Sequence, residues 1–246
     1  LAHTHSGGVV VEEGEVVIRN VAALNNGPLD IRAGTRVALD TGVSRMPVSA
    51  LTLDANGRLD VGRAGLVIAA GGHDAAAIRQ AIIAGRSGGT WTGSRGIASA
   101  AAASTAGRAV GYAPGSAGSM IVAFAASGDT NLDGQVSVVD LVAIQSSGVY
   151  GTGGTADWFQ GDSNYDGVVS VVDMVAMQSS GVYGAGNYNP APAAQATVVA
   201  PTASRSTAAP TEAPSIFKLA FASLAEEQVT GNSAGKATKK AFGSLS

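Results

Sequence analysis

"GDTNLDGQVSVVDLVAIQSSGVYG" (Gly128–Gly151) returns 33 residues later as "GDSNYDGVVSVVDMVAMQSSGVYG" (Gly161–Gly184), with 19 of 24 positions identical. Each copy places Asp, Asn, Asp and Gly at spacing D-x-N-x-D-G and a further Asp eleven residues after the first. Residues 128–190 hold seven Asp and no Lys, Arg or His. A stretch so charged repels itself unless it is solvated or takes up external cations.

The spacing matches a calcium loop of the EF-hand type. With Asp129 as position 1, Asn131, Asp133, Gly134 and Asp140 fall at positions 3, 5, 6 and 12. Asp162, Asn164, Asp166, Gly167 and Asp173 do so in the second copy. Calcium takes six to eight oxygens at roughly 2.3–2.6 Å, in loose geometry. Alternate residues of a tight loop supply them, and glycine at position 6 takes a bend that a Cβ opposes. Position 7 gives only its backbone carbonyl, so Gln135 and Val168 are free to differ. Position 9 is Ser137 or Ser170, which contacts the ion through water.

The predicted metal ligands are therefore Asp129, Asn131, Asp133, Gln135 and Asp140, then Asp162, Asn164, Asp166, Val168 and Asp173, for two Ca2+ ions. Magnesium demands a smaller, stricter octahedron. No soft ligand is present to favour zinc. "SVVD" in both copies is an S-x-x-D capping box, so a helix is predicted after each loop, stopped at Gly148 and Gly181.

The two phrases resemble a type I dockerin domain over about residues 127–188. The likeness lies in the duplicated loop-plus-helix, the missing incoming helix and the Asp at position 12. It implies calcium-dependent folding and docking to a cohesin-like or other cell-surface protein. In the family, positions 10 and 11 are often a Ser/Thr pair that touches cohesin. Here they are Val138–Val139 and Val171–Val172, which depart from that pattern. The stretches "LDANGRLDVGRAGLVIAAGG", "IRQAIIAGRSGGTW" and "AVGYAP" are similar to the region that precedes dockerin-like C-termini in secreted bacterial proteins with autotransporter-associated β-strand repeats.

The remaining sequence fits a mixed fold. Residues 1–126 are expected to form a β-rich module, either a β-solenoid end or a sandwich. Short apolar runs there are cut by Gly and Asn-Gly turns every 8–15 residues or so. A helix is predicted near 74–85, capped by Asp74, with Ala77, Ile78, Ala81 and Ile82 as its stripe and Gly85 as its end. "GGTWTGSRGIASAAAAS" reads as a loop and a short Ala helix; "RAVGYAP" and "SMIVAFAAS" read as strands. "DANGRLD" (Asp54–Asp60) reads as a hairpin turn. Residues 127–189 are the loop pair, 190–214 a Pro/Ala/Thr linker, and 215–246 a tail with a short helix whose stripe is Ile216–Leu224.

Several function classes recede. The chain has no Cys, so no disulfide or thiolate chemistry. Its net charge of −3 gives no footprint for nucleic acid. No apolar run reaches the roughly 20 residues of a membrane span. "GRSGGTWTG" lacks the Lys of a phosphate loop. His3 and His5 are too few ligands for a metal, and His73–Asp74 has no nucleophile beside it. Trp91 and Trp158 read as packing anchors. The chain opens on Leu1 with no Met and no leader pattern, the expectation for a fragment or processed form. The expectation is an extracellular, non-enzymatic, calcium-binding interaction or anchoring module of a larger surface or secreted protein, without a small-molecule substrate. The alternative is an accessory C-terminal region of a polysaccharide-degrading enzyme that docks to a cohesin-like partner.

Overall fold

The computed structural model describes residues 7–190. His3, His5, nearly all of the 190–214 linker and the 215–246 tail lie outside the described residues. The fold is mixed, with eleven strands and four α-helices among the described residues. No described helix is long and apolar enough to cross a membrane.

The first eight strands wind as a coil. β1 (Val9–Val11) and β2 (Glu15–Ile18) make the first circuit. β3 (Leu29–Ile31), β4 (Arg36–Leu39) and β5 (Arg45–Val48) make the second. β6 (Leu51–Leu53), β7 (Arg58–Asp60) and β8 (Gly65–Ile68) make the third. Strands one circuit apart pair in parallel: Val9 with Leu29 and Leu29 with Leu51, Glu15 with Arg36 and Arg36 with Arg58, Arg45 with Gly65. Such pairing is solenoid winding; a sandwich of hairpins pairs its strands antiparallel.

In-register stacking turns the strands' alternation into aliphatic columns. Val11, Ile31 and Leu53 form one, Val37 and Leu59 another, Met46 and Leu66 a third. Val37, Met46, Leu59 and Leu66 are fully buried. "DANGRLD" is consequently not a hairpin. Gly57 N–H closes a turn on the Asp54 carbonyl at 2.8 Å, but β6 and β7 on either side belong to different sheets. The turn is a corner of the coil.

The third circuit leads into α1 (Ala75–Arg86), capped as expected by the Asp74 carboxylate, which accepts from Ala76 and Ala77 N–H. Its buried stripe is Ile78, Ile82 and Gly85, while Ala77 is exposed. Gly85 does not end the helix; Ser87, at φ 47°, does. A Cβ on Gly85 would sit 2.0 Å from the Ile97 carbonyl oxygen, so this glycine is where α1 lies directly on the next strand. That strand, β9 (Gly96–Ala98), lies within a stretch predicted as loop. It continues the β2–β4–β7 sheet beside β7, with Ile97 on Leu59.

After the short α2 (Ala100–Ala103) come the two expected strands, β10 (Arg108–Pro114) and β11 (Met120–Ala126), which pair as an antiparallel hairpin. β11 also runs antiparallel to β8, which ends the parallel winding. The chain then enters α3 (Val138–Ser146) and α4 (Val171–Ser179) through the two acidic loops. Leu132, Trp158 and Tyr165 from this segment share one buried cluster with the coil, and Trp91 is buried in it as expected.

Trp158 meets the hairpin at Gly111, where a Cβ would lie 2.5 Å from the indole ring. Gly111→Ala is therefore expected to overpack this junction and destabilise the chain by about 1–3 kcal/mol. Chemical denaturation of the full chain would measure it, and an unchanged midpoint would contradict the packing described.

Candidate metal centre

Both loops close in the same way from their own backbone. Asp129 Oδ2 accepts from Gly134 N–H at 3.0 Å, and Asp162 Oδ2 accepts from Gly167 N–H at 3.0 Å. Asn131 Oδ1 accepts from Asp133 N–H at 2.8 Å, and Asn164 Oδ1 from Asp166 N–H at 2.7 Å. Asp133 Oδ1 takes Gln135 N–H at 2.8 Å, and Asp166 Oδ1 takes Val168 N–H at 3.0 Å. Short polar side chains thus hold a turn in which positions 1, 3 and 5 each present oxygen. Gly134 and Gly167 carry φ of 87° and 96°, the left-handed region that suits glycine.

Position 12 ties loop to helix. Asp140 Oδ2 accepts from Ser137 N–H at 2.9 Å, completing the capping box read from "SVVD". Asp140 Oδ1 accepts from Thr130 N–H and from the Thr130 hydroxyl, both at 3.0 Å. Asp173 repeats this with Ser170 and Ser163. Sequence reasoning passed over position 2. Its signal was present, because Thr130 and Ser163 keep a hydroxyl in both copies.

The two units interlock through a reciprocal exchange. Val136 bridges to Tyr183 and Val169 to Tyr150. Gly184 N–H donates to the Val136 carbonyl at 2.8 Å, and Gly151 N–H to the Val169 carbonyl at 2.9 Å. Each loop thus pairs with the segment that follows the other copy's helix. Gly128 abuts Met177 of α4, and Gly161 abuts Ile144 of α3. Val136, Ile144, Val169 and Met177, with Ala126 and Ala156, form the small core between the units.

Within each loop, burial divides the carboxylates. Asp129, Asp140, Asp162 and Asp173 are 0–1% exposed, while Asp133 and Asp166 face solvent with Asn131 and Gln135. Among the described residues, no three His, Asp or Glu side chains converge as a tight preformed cluster. The carboxylates at positions 1 and 12 are instead held by backbone donors. One oxygen is left over: Asp162 Oδ1 is buried without a hydrogen-bond partner. A buried carboxylate oxygen without a donor is costly unless a cation meets it. The donors are all oxygens, which fits a hard dication and not a soft one.

Two donors from outside the loops were not legible in the sequence. Tyr188 hydroxyl donates to Asp129 Oδ2 at 2.6 Å, and Arg79 Nη2 of α1 donates to Asp162 Oδ2 at 2.8 Å. Trp158 Nε1 donates to the Asp129 carbonyl at 2.8 Å, and Tyr165 hydroxyl to the Val110 carbonyl at 2.6 Å. The Arg45 guanidinium donates to the Leu132 carbonyl. These contacts fasten both loops to the coil and the hairpin.

Burial pushes the Asp129 carboxyl up to about 6, against the pull of the Tyr188 and Gly134 hydrogen bonds. It moves Asp162 in the same direction, opposed by Arg79. No known protein family, no curated protein and no solved structure matches the chain.

The sign of the resulting pH dependence follows from proton counting. Between pH about 4 and 6, folded Asp129 keeps a proton that the unfolded chain has released, so in chelator stability falls as pH rises through that window. The loss at full effect is roughly 3 kcal/mol. Thermal melts of the full chain in chelator at pH 4.5 and 7 would check it; a higher melting temperature at pH 7 would contradict the burial cost.

Proposed function

We propose that residues 128–188 are a type I dockerin-like pair of calcium-binding units, and that the chain is an extracellular, non-catalytic interaction or anchoring region of a larger protein. One observation carries this reading: each repeat buries the carboxylates at positions 1 and 12 while its own segment contains no basic residue. Asp129, Asn131, Asp133, Asp140 and the Gln135 carbonyl are the proposed ligands of one ion. Asp162, Asn164, Asp166, Asp173 and the Val168 carbonyl are those of the other. Calcium supplies charge that offsets the buried carboxylates and pins each loop to the first turn of its helix.

Partner docking is supported by the outer helix faces. Val138, Val139 and Val142 are 56–62% exposed, and their repeats Val171, Val172 and Val175 are 56–65% exposed. The valines at positions 10 and 11 therefore do not pack inside the pair. Two matching apolar faces suit an anchoring module whose partner is a cohesin-like or other cell-surface protein. The parallel coil suits the end of a longer solenoid that carries this module.

Calorimetry of the full chain with calcium is expected to give two ions per chain, and Asp129→Ala is expected to remove one. A stoichiometry unchanged by that substitution would contradict the ligand assignment. Val138→Asp and Val171→Asp are expected to leave two-ion binding intact and to shift stability by less than about 0.5 kcal/mol, as exposed positions do. Loss of calcium binding in those variants would show that the valines are interior and not a docking face.

A further inference from the structure

The two loops share the residue type at each proposed side-chain ligand position, so their own chemistry gives no reason for unequal affinity. Their surroundings differ in where charge meets a proposed ligand oxygen; Arg45 reaches the first loop only at the Leu132 carbonyl, which is not a proposed ligand. Asp129 Oδ2 is held by a neutral phenol, Tyr188, whereas Asp162 Oδ2 is held by the guanidinium of Arg79. Arg79 is delivered firmly, from a helix anchored by the buried Ile78 and Ile82. Its Nη2 also lies where a Cβ on Gly167 would be 3.7 Å away, so the charge sits against the bend of the second loop. Asp157, 3.9 Å from Arg79 Nε, is partly exposed and accepts from Tyr112 at 2.6 Å. The closer partner of the guanidinium is Asp162.

We infer that Arg79 makes the calcium sites unequal: it lowers the affinity of the second loop, so the first loop fills first. The inference rests on the calcium reading above. Two effects act in the same direction. A dication entering the second loop meets a carboxylate whose other oxygen already holds a positive charge, and like charges repel. Without calcium, Asp162 has the charge of Arg79 on Oδ2 and no partner on Oδ1, while Asp129 has only neutral donors, the Gly134 and Asp133 N–H groups and the Tyr188 hydroxyl. The charge of Arg79 outweighs the one neutral hydrogen bond that Asp162 Oδ1 lacks, so the first loop gains more when the ion arrives. By reciprocity, calcium in the second loop weakens the Arg79–Asp162 contact by the same factor, which links the coil's helix to calcium level.

The test is calorimetric calcium titration of the full chain carrying one loop at a time. Asp162→Asn leaves the first loop, and Asp129→Asn leaves the second. The second loop is expected to bind about tenfold more weakly, the scale of one charge-assisted hydrogen bond. Adding Arg79→Met to Asp129→Asn is expected to recover most of that difference, whereas Arg79→Lys, which keeps the charge, is expected to recover little. Arg79→Met is expected to leave the first loop's affinity in Asp162→Asn unchanged, and circular dichroism in calcium would show that the fold is retained. Equal affinities in the two single-loop proteins would overturn the inference whether or not Arg79→Met folds. So would an Arg79→Met protein whose second loop binds no tighter. If wild type takes up two ions but the single-loop proteins are equal, only this inference fails. If wild type binds no calcium at millimolar concentration, the calcium reading fails with it.

Discussion

The structure hangs on four aspartate side chains, Asp129, Asp140, Asp162 and Asp173, taken out of water in a segment that has no positive charge of its own. Isolated buried carboxylates are too costly to leave uncompensated. The chain answers partly with backbone N–H groups, which close each loop and cap each helix. It answers partly with donors borrowed from elsewhere, Tyr188 and Arg79. What these leave over among the described residues is Asp162 Oδ1, an oxygen that a dication would satisfy.

That constraint reaches into the coil. The loops are fastened through Trp158, Tyr165 and Leu132, which join the same buried cluster as Val110, Tyr112 and the aliphatic columns. Tyr165 stacks near Tyr112 with ring centroids 6.3 Å apart, and Trp158 lies 5.6 Å from Tyr165. Stacked strands, antiparallel hairpin and paired loops thus share one interior. Ordering the loops and holding them against the hairpin are aspects of the same packing.

The loops and their helices were legible because each is local. The D-x-N-x-D-G turn, its glycine bend and the S-x-x-D cap are closed within about a dozen residues, so the sequence states them directly. Helix α1 was legible for the same reason, through Asp74 and its isoleucines. What failed was non-local. The stretch holding β9 reads as loop because it is glycine-rich, yet Gly96–Ala98 becomes a strand once β7 offers an edge. Gly85 reads as a stop signal, yet it marks close contact with Ile97. Arg79 carries no sign that its partner lies 83 residues ahead. The Val138 and Val171 faces could be read as apolar, but only the fold shows that they point outward.

Hydrogen exchange of the full chain, with calcium and with chelator, tests the central claim most directly. If calcium completes both loops, the amides of Gly134 and Gly167 and of helices α3 and α4 will exchange more slowly with the ion present. The β1–β8 rungs will change little. Exchange in both loops that is identical with and without calcium would contradict the account, leaving the repeated phrase as two well-made turns.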